Sequence, residues 1–530
     1  MRLTRLRAVT GAVAAITLLV GVSASAHTSA PPALKSGGTL TIALDADPDA
    51  LDPTLARTFV GRMVFLDMCE KLYDLNAKLQ IVPQLAASLP TFSADKKTVT
   101  IKLRKGIKFN DGTTFDAAAV KKSLDRHKTL KASARASELA PVSSIDTSGN
   151  STVILHLTDR YSPITAQLAD RAGMIMSPKQ LDALGDKFAT NPVCVGPFQF
   201  KDRSAGDHIT LTKSPYYYGK KNVHLDTIVW KIITDPAARA ANLRSHDVDV
   251  SEGIASTDLQ SIARDSSLSL FKSTSIGYQG ITVNIGNSNG LGKLPYTNTG
   301  TAIAKSADLR AAFELALDRK AINKVVFGGT TNPDCFPVAP GTPFYAATKG
   351  IPCKLTADVA AAKAAFKRSG AASGVTVHLM LGTDPVAARL GQVIQAMEKP
   401  IGINVVLDPT EIVTTLTRED SGKFETFAIG WSGRIDADGN TFGFLHTTGS
   451  QNDSGYSNAV VDRALTNERK AASLPARLVS FHAALAQAAK DRPVIYLYHV
   501  VNRDAQSKKV GGIQLFGDGL VRVQFAGFKK

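Results

Sequence analysis

The sequence predicts an α/β protein built from more than one domain. Stretches with apolar residues at every second position alternate with stretches at helical spacing along most of the chain. At 530 residues, 44% hydrophobic and 20% charged, it is too long for one core, so two or three domains are expected. The strand-helix pattern also starts afresh at Tyr278.

Taken in order, the first 26 residues read as a leader rather than as fold. Arg2, Arg5 and Arg7 precede an uncharged apolar run from Gly11 to Val22, and Ala24-Ser25-Ala26 follows. A basic start, a short apolar middle and an A-x-A end make a secretory signal peptide, cut before His27. The run of 12 residues is short of the roughly 20 that span a bilayer. No cysteine lies at the cleavage site to carry a lipid, so an exported, soluble mature chain is expected. Residues 27–37 are small, Pro/Gly-rich and linker-like.

A first strand follows in "GGTLTIAL", then "TVTIKLR", which alternates Val99, Ile101 and Leu103 with polar residues. "NDG" at Asn110–Gly112 is a turn, and "DAAAVKKSLDRH" is a helix. Strands are expected at 152–157, 208–212 and 227–233. "DPAARAANLRS" then offers Asp235 as helix cap and Pro236 as first helical residue. Past Tyr278, "YQGITVNIG" is a strand. "SADLRAAFELALDRKAI" places Leu309, Ala312, Phe313, Ala316 and Leu317 on one helical face. "TVHLML", "INVVLD" and "ETFAIGW" are strands among helices near 386–396 and 410–417. A long helix at 474–489 leads into "PVIYLYHVV".

Net charge is +16, falling to +13 without the leader. Lys and Arg are scattered among acids with no basic run, and the aromatic-plus-basic pattern of a single-strand binder is missing, so no nucleic-acid partner is expected. Four cysteines in an oxidising compartment favour disulfides. Arithmetic allows three pairings. Cys335 and Cys353 bracket one Pro/Gly-rich loop, which makes a local clip the natural choice and leaves Cys69 with Cys194.

Catalytic signatures are missing. The chain has no HExxH, GxSxG or GxxxxGK[ST], and its ten histidines show no metal-ligand spacing. No metal or cofactor is expected. One loop stands out, "AIGWSGRIDADGN" from Ala428 to Asn440, where Trp431, Arg434, Asp436 and Asp438 follow a short strand. Asp436 and Asp438, at i and i+2 of an extended segment, would point the same way. They are a poor glycosidase pair, because one tight loop cannot flank a sugar, and they match only a fragment of a calcium loop. An Arg434–Asp salt bridge holding a surface turn is the plainer alternative.

Longer stretches carry a resemblance. "KLYDLNAKLQIVPQLAASLPTFSADKKTVTIKLRKGIKFNDGTTFDAAAV", "GPFQF", "SPYYYGKKNVHLDTIVWKIITDPAARAANLRS" and "DLRAAFELALDRKAI" together resemble the peptide-type (family 5) extracellular solute-binding proteins of ABC importers, in the right order from Gly38 to the C-terminus. The group carries peptides, opines, nickel and glycosides. In "LRSHDVDV" this chain has His246 where the family usually has glycine, so the local turn there must form without one.

The resemblance implies a two-lobed periplasmic-binding-protein (clamshell) fold with an extra subdomain in the N-terminal lobe. Lobe I would span 38–277, with the subdomain near 80–190; lobe II would span 278–498, and 499–530 would return to lobe I. A periplasmic monomer is implied that captures a short peptide or related amine-bearing molecule and hands it to a membrane permease. A secreted hydrolase on the same scaffold and a chemoreceptor-coupled sensor are the alternatives. In dipeptide-binding relatives an aspartate on the loop after a Trp-bearing strand meets the peptide ammonium, which here makes Asp436 the counterpart and Asp438 second. Trp431 would wall the site. Arg389 matches an arginine that meets the ligand carboxylate in some relatives, and Tyr278 marks the first crossover between lobes.

Overall fold

The computed structural model describes residues 33–530. The expected leader and residues 27–32 of the expected linker lie outside the described residues. Leu34 forms a β-bridge with Lys529, which ties the start of the described chain to its end.

Lobe I is organised on a seven-stranded mixed sheet. Strand Thr39–Leu44 sits inside it, parallel to Thr227–Ile232 on one side and to Val250–Ser251 on the other. Leu40, Ile42 and Leu44 are fully buried and pack with Phe65, Trp230 and Val523, so the C-terminal segment completes this core. Asp235 accepts a hydrogen bond from the Ala238 N–H at 2.7 Å and starts helix Pro236–Ser245, as its sequence predicts. The helix ends on His246, held in the left-handed region at φ 65°. The turn does form without glycine.

The extra subdomain has its own four-stranded sheet, in the order Thr91–Phe92, Thr98–Lys102, Thr152–Leu157, Val142–Thr147. Val99, Ile101, Phe109 and Leu155 lie at the centre of its core. The Cys69–Cys194 disulfide joins the end of helix Phe59–Met68 to the stretch leading back from the subdomain into lobe I.

Lobe II carries a six-stranded sheet in the order Asn332–Pro333, Val494–His499, Tyr278–Val283, Thr426–Trp431, Val375–Leu381, Ile403–Pro409. The Cys335–Cys353 disulfide clips its Pro/Gly-rich loop. The amphipathic stretch after Ser306 is two helices rather than one, Ala307–Ala316 and Arg319–Phe327. Between them, Asp318 turns its carboxylate onto the Ala321 N–H at 2.7 Å and caps a new helix. A side chain that competes for backbone N–H groups outweighs the apolar periodicity there.

Two strands cross between the lobes. Leu268–Thr274 of the first sheet continues through Ser275-Ile276-Gly277 into Tyr278–Val283 of the second. Val494–His499 continues through Val500 alone into Val501–Ser507. The crossings are bonded to each other, Ser275 N–H to Val500 O at 2.9 Å and His499 Nδ1 to Gly277 O at 2.5 Å. Short paired connectors between two separately packed cores are the geometry of a hinge.

Candidate functional site

Strand Thr426–Trp431 runs through lobe II beside the hinge strand, with Trp431 opposite Tyr278. Both rings are buried and form a cluster with Tyr496. The Trp431 indole N–H donates to Gly439 O at 2.9 Å, which fixes the ring against the following loop. That loop turns at Gly433, where φ is +79° and a Cβ would lie 2.5 Å from Gly277 N. Only glycine lets the loop lie this close to the hinge.

The second half of the loop is not extended. Asp438 opens helix Asp438–Leu445, and its N–H donates to Asp436 Oδ1 at 3.0 Å. The turn sends the two carboxylates in different directions. Asp436 receives the Arg477 guanidinium on both oxygens, at 2.7 and 2.6 Å. Asp438, almost wholly buried, pairs with Arg469 and accepts from Gln167 Nε2 at 2.8 Å. Arg434 pairs with neither aspartate. Its guanidinium stacks 4.2 Å from the Trp431 ring and its Nε lies 2.6 Å from Asp170 Oδ2 of lobe I. Arg389 is exposed on helix Pro385–Glu398 and does not line the cleft described next. The structure therefore brings Tyr278, Trp431 and Arg434 together, sets the two aspartates in intramolecular ion pairs, and leaves Arg389 apart.

Between the lobes, beside the hinge, lies a cavity of about 860 Å³. Its lobe I wall forms where the parallel strands end, at Asp45, Thr234 and Glu252, and its lobe II wall at Gly382, Asp384, Thr410 and Ile429. The C-terminal edge of α/β sheets is where ligands are generally received. Six carboxylates and two guanidinium groups line it. One guanidinium, Arg239, is spent on backbone, donating to the carbonyls of Ile233, Thr234, Glu252 and Gly253 at 2.7–3.1 Å.

Three carboxylates on the lobe I side form no salt bridge, and the Arg239 guanidinium, with Arg503 beside Asp504, offsets only part of the burial and mutual repulsion they carry. Asp45 is open to the cavity, while Glu252 and Asp504 are 7% and 2% exposed. Asp504 Oδ1 accepts from Gly253 N–H at 3.0 Å, but Asp504 Oδ2 and Glu252 Oε2 have no hydrogen-bond partner among the described residues. Burial pushes the Asp504 carboxyl up to about 7. Burial, with Asp45 and Asp504 nearby, raises Glu252 well above the usual range. Mutually repelling carboxylates beside solvent space can receive a positive group. Sequence reading missed this set. Its members come from segments up to 459 positions apart, Asp45 to Asp504, and each looks like an ordinary strand-end acid.

The lobes also touch directly, at residues outside the cavity lining. Arg62 of lobe I donates to the Ser432 hydroxyl at 2.9 Å. Arg57 reaches Asp420 at 2.6 Å and Asp453 at 3.3 Å.

Among the described residues no helix is long and apolar enough to cross a membrane, and no cluster of metal-ligating side chains occurs. Comparison with known proteins agrees with this architecture. The chain is 26% identical over 494 residues to the glutathione-binding protein GsiB of Pectobacterium atrosepticum, covering 90% of this chain and 92% of that one. It is 28% identical over 365 residues to GsiB of Salmonella typhimurium, 68% of this chain and 67% of the relative. Among solved structures, the PBP AgaA of A. tumefaciens R10 with agropinic acid superposes at TM-score 0.81 and 25% identity, covering 92% and 96% of the two chains. The oligopeptide-binding protein AppA of Bacillus subtilis, holding a nonapeptide, superposes at 0.84 and 20%, over 94% and 100%. The model of the bacterial extracellular solute-binding proteins, family 5, matches residues 80–453, more than half of the chain, and the protein belongs to that family.

Proposed function

We propose that this protein is the exported ligand-capturing component of an ABC importer, and that it closes over a short peptide or a related small molecule bearing a free amine. The leader-like N-terminus and membership of an extracellular solute-binding family support export to the periplasm. Relatives named for glutathione and peptides support the ligand class, since each of those molecules combines an ammonium with carboxylates. The family's role and the missing nucleophile and metal motifs support binding without catalysis.

The observation that carries the reading is the set Asp45, Glu252 and Asp504 on the cavity wall, among which none forms a salt bridge with a described residue. A ligand ammonium supplies the missing cation there and is desolvated as the lobes close, so a neutral competitor leaves the carboxylates stranded. Asp436 and Asp438 hold the loop, with their charges met by Arg477 and Arg469. Trp431 and Tyr278 stiffen the hinge side of the cleft.

Calorimetry with a panel of di- and tripeptides, each free and N-acetylated, tests this. Free peptides should bind at least roughly 30-fold more tightly than acetylated ones, and Asp504→Asn should remove most of that difference. Equal affinity for the two forms would overturn the amine reading.

A further inference from the structure

A second charged chamber lies where the Gly433 loop meets lobe I, and its sign is opposite. Two guanidinium groups line it, Arg62 and Arg434, 5% and 8% exposed, and two more that do not reach the lining, Arg135 and Arg171, lie fully buried nearby. Two carboxylates serve all four. Asp170 lies 2.9 Å from Arg62 and 2.6 Å from Arg434, with Arg171 at 3.7 Å, and Glu138 pairs with Arg135 at 2.5 Å. The other charges lining the chamber are already met, Lys71 by Asp74 and Asp518 by Arg522. On the lining itself Arg62 and Arg434 share the single Asp170 carboxylate, so one positive charge is left over in a water-poor setting.

The nitrogens agree with this count. Arg62 Nε and Arg434 Nη2, together with Nε and Nη2 of both Arg135 and Arg171, have no hydrogen-bond partner among the described residues. Burial pushes Arg434 down to about 9, and the Arg62 and Arg135 guanidiniums push the same way against Asp170 and Glu138. Arg62, Asp170, Ile276, Gly433 and Arg434 enclose a space of about 20 Å³, enough for one water-sized occupant. The Ser432 hydroxyl is shared by both guanidiniums, 2.9 Å from Arg62 and 3.4 Å from Arg434. A water would satisfy N–H groups but leave the charge; an anion does both.

We propose that this chamber is a small-anion site, sized for one halide ion or one oxygen of a ligand carboxylate, formed only when the lobes close. Arg62 and Asp170 belong to lobe I, and Arg434 and Ser432 to lobe II, so the donors converge in the closed form. The inference deepens the ligand reading by giving the captured molecule, or a co-bound ion, an anionic contact by the hinge. It rests on that reading only for its coupling to closure.

The test uses the mature full-length protein and two probes. Unliganded protein is melted in sodium bromide and in sodium gluconate at equal ionic strength, gluconate being too large for the chamber, and bromide is located by its anomalous scattering. Separately, peptides with a free and an amidated C-terminus are compared by calorimetry. Saturable stabilisation by bromide, with a peak between Arg62 and Arg434, supports a free-halide site. Loss of about tenfold or more in affinity on amidation, with bromide competing, supports a ligand-carboxylate site. Either effect should weaken by about tenfold in Arg434→Gln and in the independent variant Arg62→Gln, and partly return in Arg434→Lys. Bromide acting no differently from gluconate, together with indifference to amidation, overturns the proposal. An amine reading that fails on N-acetylated peptides leaves both probes of this site intact.

Discussion

Arg434 of lobe II sets its Nε 2.6 Å from the Asp170 carboxylate of lobe I, both groups buried between the lobes. Burial works against ionising Asp170, yet the Arg434, Arg62 and Arg171 guanidiniums hold its carboxyl well below the usual range. Its contribution is thus present above about pH 4 and is lost as acid protonates it. Asp170→Asn should strand those guanidiniums at a cost of about 3–5 kcal/mol. The closed form should suffer most. Small-angle scattering should show a larger radius of gyration for unliganded Asp170→Asn than for wild type, and an unchanged radius with an unchanged melting temperature would refute the role.

Asp436 makes a two-oxygen ion pair with Arg477, whose Nε also donates to Glu468 at 2.6 Å. Asp436→Asn should lower stability by about 1–3 kcal/mol by leaving part of that guanidinium unsatisfied. Peptide affinity should stay within about threefold, since the ligand amine is assigned elsewhere. Urea titration and calorimetry on the same variant separate the two effects. A large affinity loss at unchanged stability would return Asp436 to the ligand.

Acidity should act on folding and on binding in opposite senses. Asp504 keeps its proton to about pH 7, chiefly through burial, whereas an unfolded aspartate loses it near pH 4. The native state therefore binds more protons between those values, and this group's share of stability falls as pH rises through the window. Glu252 acts in the same direction. A cationic ligand favours the ionised carboxylates, so affinity should rise over the same interval, with protons released on binding. Calorimetry in buffers of different ionisation enthalpy measures that release; no release near pH 6 would count against these carboxylates as the cation's partners.

His246 closes helix Pro236–Ser245 in a left-handed conformation that costs an L-residue with a side chain more than it costs glycine. His246→Gly should raise stability by about 0.5–1 kcal/mol, without altering ligand affinity. A melting temperature that falls would show that the imidazole makes a compensating contact.

What proved legible in the sequence depends on neighbours along the chain. Asp235 caps its helix three residues ahead, and Cys335 meets Cys353 across a separation of 18. Strands such as Val375–Leu381 and Ile403–Pro409 declare themselves by alternation. Segments resembling one family implied the two-lobed fold. Even locally, two details were misjudged, where a carboxylate won over apolar periodicity at Asp318 and where the Asp436 loop curled into a helix.

The sequence by itself determined the alternating strands, the strongly periodic helices, the Asp235 cap and the disulfide clip, because those follow from backbone geometry and contacts a few residues apart. The tertiary structure alone decided which charges are free. Asp438 finds Gln167 from 271 positions away, and Asp504 meets Gly253 across 251. A charge is neutralised through space, and the distances that settle it exist only once two lobes have folded and closed on each other.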